Sequence, residues 1–166
     1  MQIDYPIFSE SQKFRQWYAW LAVAIAPIIF VWAILQQVVL GVPFGTNPSG
    51  NVVLILLAFI FGIAFPLFLY RMGLDVQLSN EAIHIRFWPF HLKPRTFYFS
   101  DIDNAESITY SPLKDYGGYG IRYGAKGKAY NVSGNQGVVI TLGTGQRILI
   151  GSQRHKELSS LINDRL

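Results

Sequence analysis

From Tyr18 to Tyr70 the chain carries no Lys, Arg, Asp, Glu or His. All 14 basic and 10 acidic residues of the 166-residue sequence lie outside that stretch. A soluble core helix rarely excludes charge over such a length, so the sequence predicts that lipid is the solvent there. Overall composition agrees: 51% of residues are hydrophobic and 14% charged, against roughly 25% charged in an ordinary soluble domain.

Two apolar segments fill the stretch, Tyr18–Leu40 and Val52–Tyr70. A hydrocarbon core of roughly 30 Å takes about 20 helical residues, so each segment is long enough to cross. The first contains twelve Leu, Ile, Val or Phe residues. Together they favour insertion by about 4 to 7 kcal/mol. As the apolar region of a cleaved signal peptide the first segment is too long, since such regions run roughly 7 to 15 residues. Between the segments, Gly41–Gly50 (GVPFGTNPSG) holds two Pro, three Gly and no charge. It reads as a turn. Lys13 and Arg15 precede the first segment and Arg71 follows the second. Because basic flanks stay on the cytoplasmic side, the expected topology is a multi-pass protein of the inner (cytoplasmic) membrane, both termini cytoplasmic. The expected parts are an N-terminal segment 1–17, a transmembrane hairpin 18–70 (spans 18–40 and 52–70) and a cytoplasmic domain 71–166. Residues 74–166 are expected to fold without the hairpin.

Within the hairpin, Ala22 with Ala26 and Ala58 with Gly62 are small-xxx-small pairs, which let helix backbones approach closely. Pro27 and Pro66 each remove a backbone donor and predict kinks. Gln36 and Gln37 suit either a hydrogen bond to a partner helix or a place at the outer interface. Ser9-Glu-Ser-Gln12 reads as a capping box that opens the first helix, and Ser152 as the cap of a last one.

After Arg71 the apolar period becomes two. Leu74–Leu78, Ile83–Phe87, Phe97 with Phe99, Ile108 with Tyr110, Gly120–Gly124, Ala129–Val132, Val138–Leu142 and Arg147–Ile150 alternate or run as short strands. Leu158, Leu161, Ile162 and Leu166 then recur at helical spacing. The predicted fold class is α+β: a two-helix hairpin, then a small antiparallel β-barrel or bent sheet of about seven strands, then a C-terminal amphipathic helix. Tyr119-Gly-Ile-Arg-Tyr-Gly124, Lys128-Ala-Tyr-Asn-Val-Ser133, Gly137-Val-Val-Ile-Thr-Leu142 and Ile148-Leu-Ile-Gly151 resemble a recurring segment of small bacterial membrane proteins with a pleckstrin-homology-like (PH-like) domain. The resemblance covers nearly the whole chain and implies a fold; it brings no catalytic residue with it. Eukaryotic lipid-binding relatives hold inositol phosphates with basic residues around the first hairpin, whereas Ser79-Asn-Glu81 here has none.

Chemistry-bearing motifs are sparse. Gly117–Gly124 is glycine-rich, but counting from Gly118 the sixth position is Tyr123, which breaks the dinucleotide pattern. Asp101 and Asp103 are spaced either to hold Mg²⁺ or to cap a turn. His84, His91 and His155 match no metal spacing, no Ser has a His–Asp partnership legible in sequence, and there is no Cys. Asn131-Val-Ser133 matches a glycosylation sequon that a cytoplasmic location excludes. The expectation is therefore no catalytic residue, no metal and no cofactor. Phe87, Trp88, Phe90 and His91 with Arg86, Lys93 and Arg95 combine rings and positive charge, and Lys114, Arg122, Lys126 and Lys128 make a second, basic cluster. They form the candidate lipid or partner surface, since each cation beside anionic lipid contributes about 1 kcal/mol. The net charge of +4 suits such a surface and is modest for nucleic acid, which is not an expected partner. The leading functional expectation is a non-enzymatic membrane-anchored interaction module, an accessory subunit of a larger complex that meets membrane lipids and other membrane proteins or its own copies. An anionic-lipid sensor is the alternative, and an enzyme using Asp101, Asp103 or Asp115 a second one.

Overall fold

The computed structural model describes residues 6–124 and 126–166. The chain forms two compact units, residues 15–71 and the combination of 1–14 with 72–166. The smaller unit is a helical hairpin. Helix α1 (Trp17–Ile34) continues through a π-turn, Leu35–Val39; α2 (Asn51–Phe59), a second π-turn, Ile60–Ala64, and α3 (Phe65–Arg71) make the return. Trp17–Val39 and Asn51–Arg71 are long and apolar enough to cross a membrane, with mean hydropathies of 2.3 and 3.0. Only 6% and 11% of their apolar windows are buried, so their side chains face outward rather than into a protein core.

Small residues do bring the two helices together, but along a line shifted from the expected one. Leu54 and Ala58 are buried, as is Ala33. A Cβ on Gly62 would lie 3.8 Å from Pro27 Cα. Phe30 stacks on Phe61 with centroids 6.3 Å apart. Ala26 is half-buried, whereas Ala22 is exposed and takes no part; Ala33 replaces it. The second π-turn lies just ahead of Pro66, where the helix loses a donor. Of Gln36 and Gln37, the second does meet the partner helix, donating to Asn51 Oδ1 at the start of α2 at 2.9 Å. The Gln36 side chain donates to Pro43 O, and Gln37 donates to Ser49 O and accepts from Phe44 N, so both close their own loop.

The larger unit contains a strand that the sequence hides. Strand β1 (Phe8–Lys13) pairs antiparallel with β2 (Gly73–Leu78) from Phe8↔Leu78 to Lys13↔Gly73. Ser9-Glu-Ser-Gln12 is therefore not a capping box. Gln12 points inward, 5% exposed, and donates to Gly151 O across the core at 2.7 Å. Residues 74–166 thus lack one strand of their own sheet, which residues 8–13 supply. Its order is β1-β2-β3-β4, with β3 at Ala82–Trp88 and β4 at Arg95–Tyr98. A second sheet runs β5-β8-β9-β7-β6: β5 Ile102–Thr109, β6 Gly120–Gly124, β7 Gly127–Asn131, β8 Gln136–Leu142 and β9 Arg147–Gly151. The strands are not all antiparallel, since β7 and β9 run parallel. Nor do they close into a barrel: β6 is an edge strand, as are β1 and β4.

Alternation places the core as expected. Leu74, Val76, Leu78, Ile83, Ile85 and Phe87 turn inward against Val138, Ile140, Ile148 and Ile150 of the second sheet. Helix α4 (Pro112–Tyr116) is a single turn between β5 and β6. Helix α5 (His155–Asn163) lays Leu158 and Ile162 on the core, while Leu166 falls beyond it and is exposed.

Ser152 accepts from Arg154 N, but α5 starts at His155 with Arg154 at its N-cap and no side-chain cap bond, so Ser152 holds the turn before the helix rather than capping it. Glu10 of β1 adds what the sequence does not reveal. Its carboxylate accepts from the Ser152 hydroxyl and from Gln153 N at 2.8 Å, tying β1 to the start of α5. Glu10→Ala is expected to cost about 1 to 2 kcal/mol, the usual worth of a cap. Hydrogen exchange in the first turn of α5 will read it, and unchanged protection there would refute the link.

Candidate functional site

The larger unit carries a groove beside its edge strand β6. Met72, ahead of β2, Phe87 of β3 and Phe90, past β3, form one wall of a space of about 350 Å³, with Tyr119, Gly120, Ile121 and Arg122 on the other. Phe87 belongs to the core, and Phe90, just past β3, packs on it with centroids 6.0 Å apart. Ile121 lies opposite Tyr130 in the β6–β7 pair, so its side chain shares the inward face of that sheet.

The glycine-rich loop has a specific job here. Gly118 and Gly120 adopt φ of +128° and +117°, a region that side-chain-bearing residues avoid. The Arg122 guanidinium lies over them: a Cβ on Gly118 would meet its Nη2 at 3.5 Å. Arg122 Nε donates to Tyr119 O at 2.8 Å. The bare backbone therefore seats a cation at the groove wall, and β6 leads into β7 rather than into a helix, as a dinucleotide loop would require.

His91, Arg95 and Lys128 form a separate group, outside the lining of this groove. The His91 ring packs edge-on against Tyr130 at 5.5 Å, and its Nδ1 accepts from Phe87 N. Burial lowers its pKa, and Arg95 and Lys128 lower it further, which favours the neutral ring. Lys128 Nζ sits 5.0 Å from the Tyr123 ring and 4.8 Å from that of Tyr130. Burial opposes its charge, but hydrogen bonding to Tyr123 and Tyr130 outweighs burial and raises its pKa above the usual value.

The two predicted patches are thus partly joined and partly dispersed. Phe90 and Arg122 line the groove, whereas Arg95 and Lys128 lie near His91; Arg122 pairs with Ala129 and Lys128 with Tyr123, so Arg122 and Lys128 alternate to opposite faces of the β6–β7 pair. Arg86 and Trp88 alternate to the outer face of β3, away from Phe87; Arg86 is paired with Asp75 and Trp88 with Gly73. Lys126 bonds Asp115 at 2.8 Å, an interaction that, with Ser111 N, holds the Asp115 pKa down. Lys93 is exposed in the β3–β4 loop, and Lys114 is exposed on α4.

Other sequence candidates resolve into structural roles. Asp101 closes a 3-10 turn and Asp103 is exposed in β5. His84 bonds Thr96 on the outer face of the first sheet. Among the described residues no group of three or more His, Asp or Glu is placed to hold a metal ion. Two Ser–His contacts occur that the sequence did not suggest: Ser79 Oγ lies 3.2 Å from His84 Nε2, and Ser107 Oγ lies 2.6 Å from His155 Nδ1. The second fastens α5 to β5 alongside the Ser159 and Asn163 bonds to Ala105 O.

Chemically, the groove presents apolar side chains from Met72, Phe87, Phe90 and Ile121 with Arg122 as its one charged lining residue. No curated protein and no solved structure matches the chain. Residues 4–165 match the model described as "Family of unknown function (DUF6141)", and the chain belongs to that family.

Proposed function

We propose that this chain is a non-enzymatic, membrane-anchored interaction module, an accessory or assembly subunit of a larger membrane complex. One observation carries the proposal. Strand β1 ends at Lys13 and β2 begins at Gly73, side by side in one sheet, with the whole apolar hairpin inserted between them. Two such helices crossing a bilayer return the chain to the side it left, as the β1–β2 pairing requires. A unit held by two adjacent connections loses the freedom that a single flexible linker would leave it. That raises the effective concentration of its surface at the membrane and lowers the ordering cost of docking. In this reading the inner membrane is the host, both termini are cytoplasmic, and the β-rich unit is a PH-like fold opened along one seam. The strand order ending in α5 supports that last point.

The sequence contains no cysteine, so single labels are clean. Cysteine at Thr46 is expected to react with an impermeant thiol reagent in intact cells, and cysteine at Thr144 only after lysis. Labelling at Thr144 in intact cells would reverse the orientation. Purification of the full chain in mild detergent is expected to yield a stoichiometric protein partner, and a homogeneous monomer across detergents would count against the subunit role. Anionic-lipid sensing is the second reading, favoured by Arg122 on the groove wall beside Phe87 and Phe90.

A further inference from the structure

We infer that His91 is an acid-sensitive latch on the β3–β4 loop, residues 89–94: the neutral ring fastens the loop to β3, and the protonated ring releases it together with the Phe90 wall of the groove. The latch lies wholly within the larger unit and is independent of how the helices are read.

The fastening is reciprocal. His91 N donates to Phe87 O at 2.8 Å, and Phe87 N donates to His91 Nδ1 at 3.3 Å. The second bond exists only while Nδ1 carries no proton, because a main-chain N–H donates and cannot accept. Protonation sets two donors against each other at that point. The other two histidines are placed differently. His84 meets the hydroxyls of Thr96 and Ser79, and His155 meets that of Ser107. A hydroxyl turns to serve either protonation state, so those contacts survive a gained proton.

The surroundings act in the same direction. Tyr130 of β7 packs edge-on against the His91 ring at 5.5 Å. Lys128 Nζ lies 4.8 Å from the same Tyr130 ring and 5.0 Å from that of Tyr123 on β6. Arg95, the first residue of β4, adds its field to that of Lys128. A proton on His91 is thus a third positive charge beside two others. Burial and the two cations hold the His91 pKa below the ordinary 6.5, to which a released loop returns. The closed loop therefore binds the proton more weakly than the open one. Closure is fully favoured above about pH 6.5 and weakens as pH falls below it, by up to about tenfold in the closed-to-open ratio per pH unit.

What the latch holds down is apolar. Phe90 packs on Phe87 with centroids 6.0 Å apart and lines the groove with it. Leu92, on the other side of His91, is 85% exposed, so its packing does little to keep the loop in place. Phe87 and Tyr130, against which Phe90 and His91 rest, are each 1% exposed. Opening the loop bares both, and acid converts a groove wall into an open apolar surface.

A spin label on Leu92→Cys tests this in the full chain in detergent, since the sequence has no cysteine of its own. At about pH 8 the label is expected to report an ordered loop, and from about pH 7 to about pH 5 a mobile component is expected to grow. His91→Gln, whose amide oxygen accepts from Phe87 N without titrating, is expected to keep the loop ordered throughout. His91→Lys, a cation with no acceptor, is expected to mobilise it even at the upper pH. His84→Gln is expected to leave the transition in place, and the β-sheet circular dichroism signal will verify that each variant is folded. A label that stays ordered down to about pH 5 with His91 present would overturn the latch. A transition that persists in His91→Gln would overturn it as well, by assigning the change to another group.

Discussion

Replacing residues 15–71 with an Asn-Gly turn is expected to give a soluble, cooperatively folding protein, whereas residues 72–166 alone are expected to aggregate. The β1–β2 ladder runs up to Lys13↔Gly73, and Phe14 N still donates to Met72 O at 3.4 Å. The ends left by excision are thus those of an antiparallel pair, which a two-residue turn joins. Removing β1 as well has a different consequence. It strips Phe8 from the core, where it is 2% exposed, and takes away the Gln12 bond to Gly151 O and the Glu10 contacts at α5. It also bares the edge of β2, a strand carrying Leu74, Val76 and Leu78, and a long unpaired edge invites association. Even Phe8→Ala within the excised chain is expected to cost about 3 to 5 kcal/mol. Excision removes Trp17, Trp20 and Trp32 and leaves Trp88 as the sole tryptophan, so its fluorescence reports urea unfolding directly. Equal unfolding midpoints for residues 72–166 and the fused chain would show that β1 is dispensable and the unit is not split by the hairpin.

Why β1 escapes sequence reading is instructive. Phe8-Ser-Glu-Ser-Gln-Lys13 contains one apolar residue, so no period-2 signal exists, and its inward position at Gln12 is polar. Serine, glutamate and glutamine just before an apolar run match a helix cap, and the local rule prevails when the true partner lies beyond the hairpin. Strands β2 and β3 are legible because Leu74, Val76 and Leu78, then Ile83, Ile85 and Phe87, alternate without interruption. The candidate site was half legible for a related reason. Composition marks the cations and rings, but parity and register decide who meets whom. Arg86 lies one residue from Phe87 and on the opposite face. Arg95 lies opposite Ile85 and so shares the inward side at the sheet's end. Lys126 is taken by Asp115, a pairing between α4 and the β6–β7 hairpin that no spacing rule suggests. The closed barrel failed on topology: the parallel β7–β9 pair leaves β6 at an edge, and a list of strands does not contain that order.

Gly137→Ala is expected to destabilise the larger unit by about 3 kcal/mol, near the top of the usual overpacking range, while Gly143→Ala in the same hairpin is expected to be neutral or slightly stabilising. Both glycines lie at the ends of β8, and the sequence treats them alike. Gly137 pairs with Gly151 of β9. A Cβ there would stand 2.5 Å from Ile150 O, 3.1 Å from Leu149 Cδ1 and 3.2 Å from Gly151 Cα. The first of these is a backbone atom that cannot swing away. Strand β8 is held between β5 and β9, with Val138 and Ile140 wholly buried, so making room means separating ladders on a strand that anchors the core. At Gly143 the nearest atom to a new Cβ is Asp103 Oδ1 at 3.6 Å, ordinary contact. There alanine chiefly restricts the unfolded chain, which favours folding by about 0.5 kcal/mol. For a unit of this size the Gly137 change corresponds to a melting temperature lower by roughly 10–20 °C. Thermal unfolding of the full chain in detergent, followed by the β-sheet circular dichroism signal, will compare the two variants. Equal melting temperatures would mean that the sheets yield at Gly137 without cost, and that the close approach of β8 to β9 is not what the glycine serves.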